Sequence, residues 1–304
     1  MKDFIEISDF TGEQLSGLMD RAIADKRLYR QGKLAPSLTG RCLAMVFEKP
    51  SLRTRVSFEA AMVHLGGHAL YLTQADIGLG TREAVQDVAR VLGRMCDGIM
   101  ARTFSHDVVE ELARCAAVPV VNGLTDYSHP CQAMADLMTA KEHFGDLGGR
   151  KLAFVGDGNN VARSLAAACG KFGMSFVLAS PAEFKLDEPF VAGLPAGCYR
   201  WTPSAVEAVA DADVVYTDTW VSMGQEDEKQ RRLKAFEGFQ VNAELMASAP
   251  DRAVVMHCLP AYRGYEITDE VFEAHADTIM EEAENRLHLQ RALLAVLIGE
   301  GGVR

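Results

Sequence analysis

The sequence predicts an α/β protein: two doubly wound parallel-sheet domains, each sheet with helices on both faces. Three observations lead to that class. Short apolar runs of strand length alternate with longer amphipathic stretches through most of the chain. The alternation pauses at Asp146-Leu147-Gly148-Gly149-Arg150, near the middle, and then restarts. The chain has 304 residues, and at roughly 150 residues per domain that allows about two cores.

The elements follow in order. Thr11 and Gln14 have capping-box spacing, and Leu15, Leu18, Met19, Ala22 and Ile23 share one face, so a helix is expected over 11–31. A strand is expected at 42–47, a helix at 56–65 stopped by Gly66-Gly67, and a strand at 69–72. The series continues with a strand at 98–101, a helix at 108–117, a strand at 118–121 and a helix over 130–143. Beyond the mid-chain glycines come a strand at 152–155, a helix at 161–172 and a strand at 176–179. Further strands are expected at 213–217 and 253–257, and a long last helix within 277–298 with Gly299 as its stop. Ligands of such sheets bind beyond the carboxyl ends of the strands, so the residues just after each strand carry the chemistry.

Composition narrows the partners. Lys and Arg number 31 against 42 Asp and Glu, a formal charge of −11, which argues against nucleic acid or an anionic membrane surface. A small anion is not excluded, because local groups decide its recognition. No apolar run approaches the roughly 18 residues of a membrane span, and Met1-Lys2-Asp3-Phe4-Ile5-Glu6 does not read as a signal peptide. The cysteines number 7, an odd count with no C-x-x-C pair, which fits reduced thiols in a cytoplasmic protein. His64 and His68 are four apart, but Gly66-Gly67 breaks the helix that would align them; no metal is expected.

Lys49-Pro50-Ser51-Leu52-Arg53-Thr54-Arg55 lies between a strand and a helix. Helix N–H groups, two hydroxyls and two guanidinium groups there make an anion cradle; the plainer reading is an exposed basic loop with a Ser cap. Arg102 and His129 also follow strands, where they suit a phosphate and an adjacent carbonyl. Val155-Gly156-Asp157-Gly158-Asn159-Asn160 suggests a dinucleotide turn, but the third glycine position is Val161 and the next strand ends at Ser180 rather than an acid. Asn159 and Asn160 either cap the next helix or bind an amino-acid head group. Asp218 follows one strand and Cys258 another; the carboxylate suits a cationic amine, and the thiol is either a proton-handling partner or inert. Arg286 alone reads as a helix ion pair.

Taken together, Ser51-Leu52-Arg53-Thr54-Arg55, His129-Pro130-Cys131-Gln132, Gly156-Asp157-Gly158-Asn159-Asn160, Asp218 with Ser222-Met223-Gly224, and His257-Cys258-Leu259-Pro260 stand in an order that resembles the ornithine carbamoyltransferases. Phe47-Glu48-Lys49-Pro50 and Glu284-Asn285-Arg286 extend the likeness over essentially the whole chain. The resemblance implies a cytoplasmic transferase that moves the carbamoyl group of carbamoyl phosphate to the side-chain amine of L-ornithine, giving L-citrulline in arginine biosynthesis. It implies a carbamoyl phosphate domain at 1–147, to which a C-terminal helix at about 280–304 returns, and an ornithine domain at 148–279. Ser51, Leu52 by its backbone, Arg53, Thr54, Arg102, His129, Gln132, Cys258, Leu259 and Arg286 would hold carbamoyl phosphate, with Arg53, Arg55, Arg102 and Arg286 converging on the dianion. Asn160, Asp218, Ser222 and Met223 would hold ornithine. Arg102, His129, Asp218 and Cys258 would be catalytic. The family implies a homotrimer and neither metal nor organic cofactor.

Three positions depart from the family pattern: Leu52 replaces the usual Thr, Gly78 the usual Gln and Tyr262 a common His. N-acetylornithine, N-succinylornithine and putrescine are rival acceptors, and a non-catalytic binding relative is a rival class. Asp218 and Ser222-Met223-Gly224 favour an acceptor with a free amino-acid head group.

Overall fold

Two parallel sheets organise the chain, and the computed structural model describes residues 1–221 and 226–300 of it. The first of two units comprises Met1–Ala135 and the chain from Glu284 onward. Its elements run α1 (Gly12–Arg30), β1 (Cys42–Phe47), α2 (Leu52–His64), β2 (His68–Thr73), α3 (Gln74–Ile77), α4 (Val85–Met95), β3 (Gly98–Arg102), α5 (His106–Cys115), β4 (Val120–Leu124) and the start of α6 (Pro130–Phe144). The second unit, Asp136–Ala283, holds β5 (Lys151–Val155), α7 (Asn160–Lys171), β6 (Ser175–Ala179), α8 (Glu188–Ala192), β7 (Tyr199–Thr202), α9 (Ala205–Val209) and β8 (Val214–Thr217). It continues through α10 (Lys229–Ala235), α11 (Ala243–Met246), β9 (Val254–His257) and α12 (Asp269–Ala274) into α13 (Ala276–Leu294). At Glu284, α13 passes into the first unit.

The strand orders are β2-β1-β3-β4 and β7-β6-β5-β8-β9, and all pairings are parallel. Parallel neighbours need crossovers, which the helices supply. The predicted fold class therefore stands. Strand order reverses between β1 and β3 in one sheet and between β5 and β8 in the other, so the chain diverges to opposite sides just beyond those strand ends and leaves a crevice there. Register pairs Phe47 with Arg102 at the first reversal and Phe154 with Tyr216 at the second.

Buried apolar side chains on the strands and the covering helices form a core in each unit. Val46, Ile99, Ala101 and Val120 pack with Val88 and Leu112 in the first; Val155, Val177, Val215 and Val255 pack with Ala208 and Phe236 in the second. Helix α1 starts as its sequence demands: Thr11 accepts the Gln14 N–H at 3.2 Å, and the Gln14 side chain accepts the Thr11 N–H at 2.9 Å.

Several elements differ from expectation. Helix α2 begins at Leu52, ahead of the expected 56, because the Ser51 hydroxyl caps it. Helix α4 was not foreseen; Val85, Val88 and Ala89 bury one face, but Ala84 opens it without a side-chain cap to signal the start. Strand β7 was also missed, being a four-residue edge strand with Arg200 in it. Gly299 does not stop the last helix, since a π-helical stretch, Ala295–Glu300, runs through it. Leu297 and Ile298 are buried there, and their burial outweighs the roughly 1 kcal/mol that a helical glycine costs. No helix among the described residues is long and apolar enough to cross a membrane.

Gly158 sits where backbones touch. A Cβ on it would meet the Phe184 carbonyl oxygen at 2.7 Å and the Leu186 nitrogen at 2.8 Å, while its N–H donates to that same carbonyl at 2.9 Å. Neither neighbour is the free end of a side chain, so Gly158→Ala is expected to destabilise the second unit by about 1–3 kcal/mol. A urea titration followed by tryptophan fluorescence measures this, and an unchanged midpoint would contradict the close approach.

Candidate active site

The first cluster begins at the end of β1. From Phe47 the chain turns through Lys49 and Pro50 to Ser51, whose Oγ accepts the Thr54 N–H at 3.3 Å and donates to Thr54 Oγ1 at 3.1 Å. Thr54 is buried, and its hydroxyl oxygen accepts from Arg286 Nη2 at 3.0 Å and from Arg102 Nη1 at 3.4 Å. Arg102 comes from the end of β3, beside Phe47, and Arg286 from α13. Two buried guanidinium groups thus meet at one hydroxyl beside a helix N-terminus. Like charges in a low-dielectric setting repel strongly, and an anion placed between them relieves that cost.

His129 registers the same charge. It is 4 % exposed, and its pKa is pushed well below the ordinary histidine range by burial first, then by the charges of Arg286, Arg102 and Arg53. The imidazole is therefore neutral and suited to donate a hydrogen bond to a carbonyl without adding charge. Gln132 is buried one turn further along α6. Leu52, at the first position of α2, is 75 % exposed, which leaves only its backbone available to an anion here. Arg55 does not join the cluster: it pairs with Glu59 at 2.9 Å and stacks 4.0 Å from the Tyr71 ring centroid. Two residues after Arg53 on a helix, it faces elsewhere. Lys49, which opens the basic segment, is buried, ion-paired with Asp126 and held 4.3 Å from the Phe104 ring centroid, partners that no local sequence signal shows.

The second cluster gathers at the reversal between β5 and β8. Asp218 is buried; its Oδ1 accepts the Thr219 N–H at 2.7 Å and its Oδ2 accepts the Asn159 amide at 2.8 Å. Asn159 also caps α7, accepting from the Val161 and Ala162 N–H groups. Of the two expectations for Asn159, the cap holds, and its amide also orients Asp218. Asn160 is half-buried in the first turn of α7. Cys258, just after β9, hydrogen-bonds Asp218, and its thiol is held well above the ordinary range by burial first and then by the Asp218 charge. It is a thiol rather than a thiolate, which rules it out as a ready base. Leu259 has φ 60, a strained value for a branched residue, and its N–H donates to His257 Nδ1 at 2.9 Å. Ser222 and Met223 lie outside the described residues.

Behind this cluster, Arg232 donates to Asp157 at 2.7 Å and to the Trp220 carbonyl at 3.0 Å. Burial raises the pKa of Asp157 despite that partner. Sequence reasoning missed the pair, for Arg232 lies in a polar run far from any strand end. Among the described residues, Asp218, His257 and Cys258 bring donor atoms within 4.8 Å of one another, close enough to consider a metal. The chemistry does not fit one: both ring nitrogens of His257 are already engaged, Nδ1 accepting from Leu259 and Nε2 facing Glu266 at 3.2 Å. Of the three, Cys258 and Asp218 hydrogen-bond each other, and the His257 ring turns to Leu259 and Glu266.

A cationic cradle at one switch point and an acid–amide–thiol cluster at the other define a two-substrate group-transfer protein. The family comparison agrees, matching the aspartate/ornithine carbamoyltransferase carbamoyl-P binding domain over residues 2–142 and the Asp/Orn binding domain over 148–297. The chain belongs to this family and is a carbamoyltransferase. It is 50 % identical to the ornithine carbamoyltransferase of Carboxydothermus hydrogenoformans over 98 % of both chains. It is 48 % identical to the anabolic enzyme of Pyrococcus furiosus, over 98 % of this chain and 96 % of that one. The solved ornithine carbamoyltransferase of Pyrococcus furiosus superimposes with a TM-score of 0.95 at 47 % identity, covering 100 % of this chain and 98 % of that one. That of Thermus thermophilus gives 0.89 at 43 % identity, covering 98 % and 99 %.

The direction of the His129 shift has a direct consequence. A histidine depressed in the fold takes up its proton in the unfolded chain first, so this group costs stability as pH falls below about 6.5. The His129 ring resonances are expected not to titrate across neutral pH in a two-dimensional NMR series. An ordinary histidine titration curve would show that the three guanidinium groups do not act on it as described.

Proposed function

We infer that the chain transfers the carbamoyl group of carbamoyl phosphate to the δ-amine of L-ornithine, yielding L-citrulline and phosphate in arginine biosynthesis. The observation that carries this reading is the meeting of Arg102 and Arg286 on Thr54 beside neutral His129. Carbamoyl phosphate is assigned to residues 1–147 with the helix at about 280–304, and ornithine to residues 148–279. Ser51, the Leu52 backbone, Arg53, Thr54, Gln132 and Arg286 receive the phosphate, while Arg102, Thr54 and His129 face the carbamoyl oxygen.

As the neutral amine attacks the carbamoyl carbon, negative charge grows on that oxygen and then on the departing phosphate. Fixed cations and a neutral imidazole donor stabilise both without reorganising. The ornithine amine arrives as an ammonium ion and must lose a proton before it attacks. With Cys258 held as a thiol, the Asp218 carboxylate is the group left to steady and deprotonate it, and Cys258 and the Leu259 backbone flank the reacting amine. Asn160, Ser222 and Met223 are assigned to the amino-acid head group.

The working form is a cytoplasmic homotrimer in this reading. Leu52, Val56 and Val63 are 75 %, 54 % and 67 % exposed on α2, next to the edge strand β2 with Leu70 also exposed. A strip of this kind on one helix is the usual mark of a protein interface.

The decisive assay supplies purified protein with carbamoyl phosphate and, in turn, ornithine, N-acetylornithine, N-succinylornithine and putrescine, reading phosphate and carbamoylated product. Citrulline from ornithine is the expected outcome; product from another amine alone would sink the assignment. Arg102→Ala is expected to lower kcat by about 10²–10³-fold, the usual effect of losing one oxyanion donor. Cys258→Ala is expected to cut turnover by about tenfold to a hundredfold, as loss of a buried hydrogen bond beside the amine would; near-normal turnover would remove the thiol from the mechanism.

A further inference from the structure

Tyr216, Asp136 and Glu282 are fully buried, each at 0 % exposure, and none belongs to a sequence motif read above. Tyr216 Oη lies 2.9 Å from Asp136 Oδ2 and 3.1 Å from Glu282 Oε1. Glu282 Oε2 accepts the His257 N–H at 2.8 Å, and His257 immediately precedes Cys258. The side chains come from β8, α6 and α13, and the amide from β9.

Hydrogens can be counted here. A tyrosine hydroxyl carries one hydrogen and can donate to one acceptor only, yet two carboxyl groups face it. With both acids ionised, one contact would set lone pair against lone pair in a buried site, at the full cost of an unpaired buried charge. One carboxyl hydrogen removes the conflict. The shorter contact is to Asp136, which takes the hydroxyl hydrogen, so the extra hydrogen belongs to Glu282, within reach of Tyr216 Oη and of the Asp136 carboxyl to which Glu282 is also hydrogen-bonded.

We propose that Glu282 is a positioning residue that keeps a proton at neutral pH, forming the chain Glu282–Tyr216–Asp136 that anchors the strand end bearing Cys258. This rests on the ornithine reading above. The direction of the Glu282 shift, well above the ordinary carboxylate range through burial and the neighbouring Asp136 charge, agrees with it. The resident proton has two consequences. It lets one glutamate donate through one oxygen while accepting the His257 amide through the other, which fixes the β9 end. It also removes a negative charge from behind Asp218 and Cys258, where each further charge would hold the ornithine amine in its unreactive ammonium form.

The test compares Glu282→Gln with Glu282→Ala in the full-length enzyme, together with infrared difference spectra of the resting protein. Glutamine keeps an acceptor for His257 and a donor for Tyr216 but cannot ionise. Glu282→Ala is expected to lose about tenfold to a hundredfold in kcat/KM for ornithine while its affinity for carbamoyl phosphate holds. Glu282→Gln is expected to restore kcat/KM to within about threefold of wild type, well under the 1.4 kcal/mol of a tenfold change. In the spectra, the carbonyl-stretch band of a neutral carboxyl is expected in wild type at neutral pH and lost in Glu282→Gln. A Gln variant as impaired as the Ala variant, one that fails to fold, or a wild-type spectrum without the band each overturns the proposal. The band is read without substrate, so it stands or falls separately from the assignment of ornithine as acceptor.

Discussion

In a parallel sheet every strand points the same way, so every loop that leaves a carboxyl end opens on one edge. Where strand order reverses, the two neighbouring loops part and leave backbone and side chains free to face a ligand. Both sheets of this chain have one such reversal, and the groups with chemical competence gather there: Ser51 after β1, Arg102 at the end of β3, Asn159 after β5 and Asp218 after β8. The apolar strands between them are there to hold those ends in register. Phe47 beside Arg102 and Thr217 beside His257 are where sheet geometry becomes site geometry.

The two ends are opposite in electrical character within a chain of formal charge −11. Beyond β1 and β3, burial first and then the surrounding guanidinium groups keep His129 neutral. Beyond β8 and β9, burial first and then the Asp218 carboxylate keep Cys258 protonated. Each end thus has its own sign, and each tunes a buried neighbour by the charges around it. Net charge reports neither effect, because both arise from a few groups withdrawn from solvent.

Much of this was legible in the sequence, for identifiable reasons. The central strands are continuous apolar runs bounded by polar residues, which is how a doubly covered parallel strand reads. Site residues that follow such runs at once, Arg102 and Asp218 among them, inherit that legibility. What escaped did so because its signal is not local. Helix α4 lacks a capping side chain, and β7 is an edge strand with little to bury. Asp136 and Glu282 sit on helices, where an acid ordinarily faces water, and each meets Tyr216 from more than sixty residues away. Asp157 and Arg232 are hidden in the same way, 75 residues apart. The misreading of Arg55 has another origin: adjacency in a basic tripeptide suggested convergence that helical geometry forbids.

The return of α13 to the first unit bears on the order of events at synthesis. Thr54, Arg102 and His129 leave the ribosome early, but Arg286 follows only after the whole second unit has been made. A nascent chain can build the first sheet while its anion cradle still lacks a cation. The cationic cluster around Thr54 is thereby completed only once the second unit has been synthesised, so its full charge is a late product of translation.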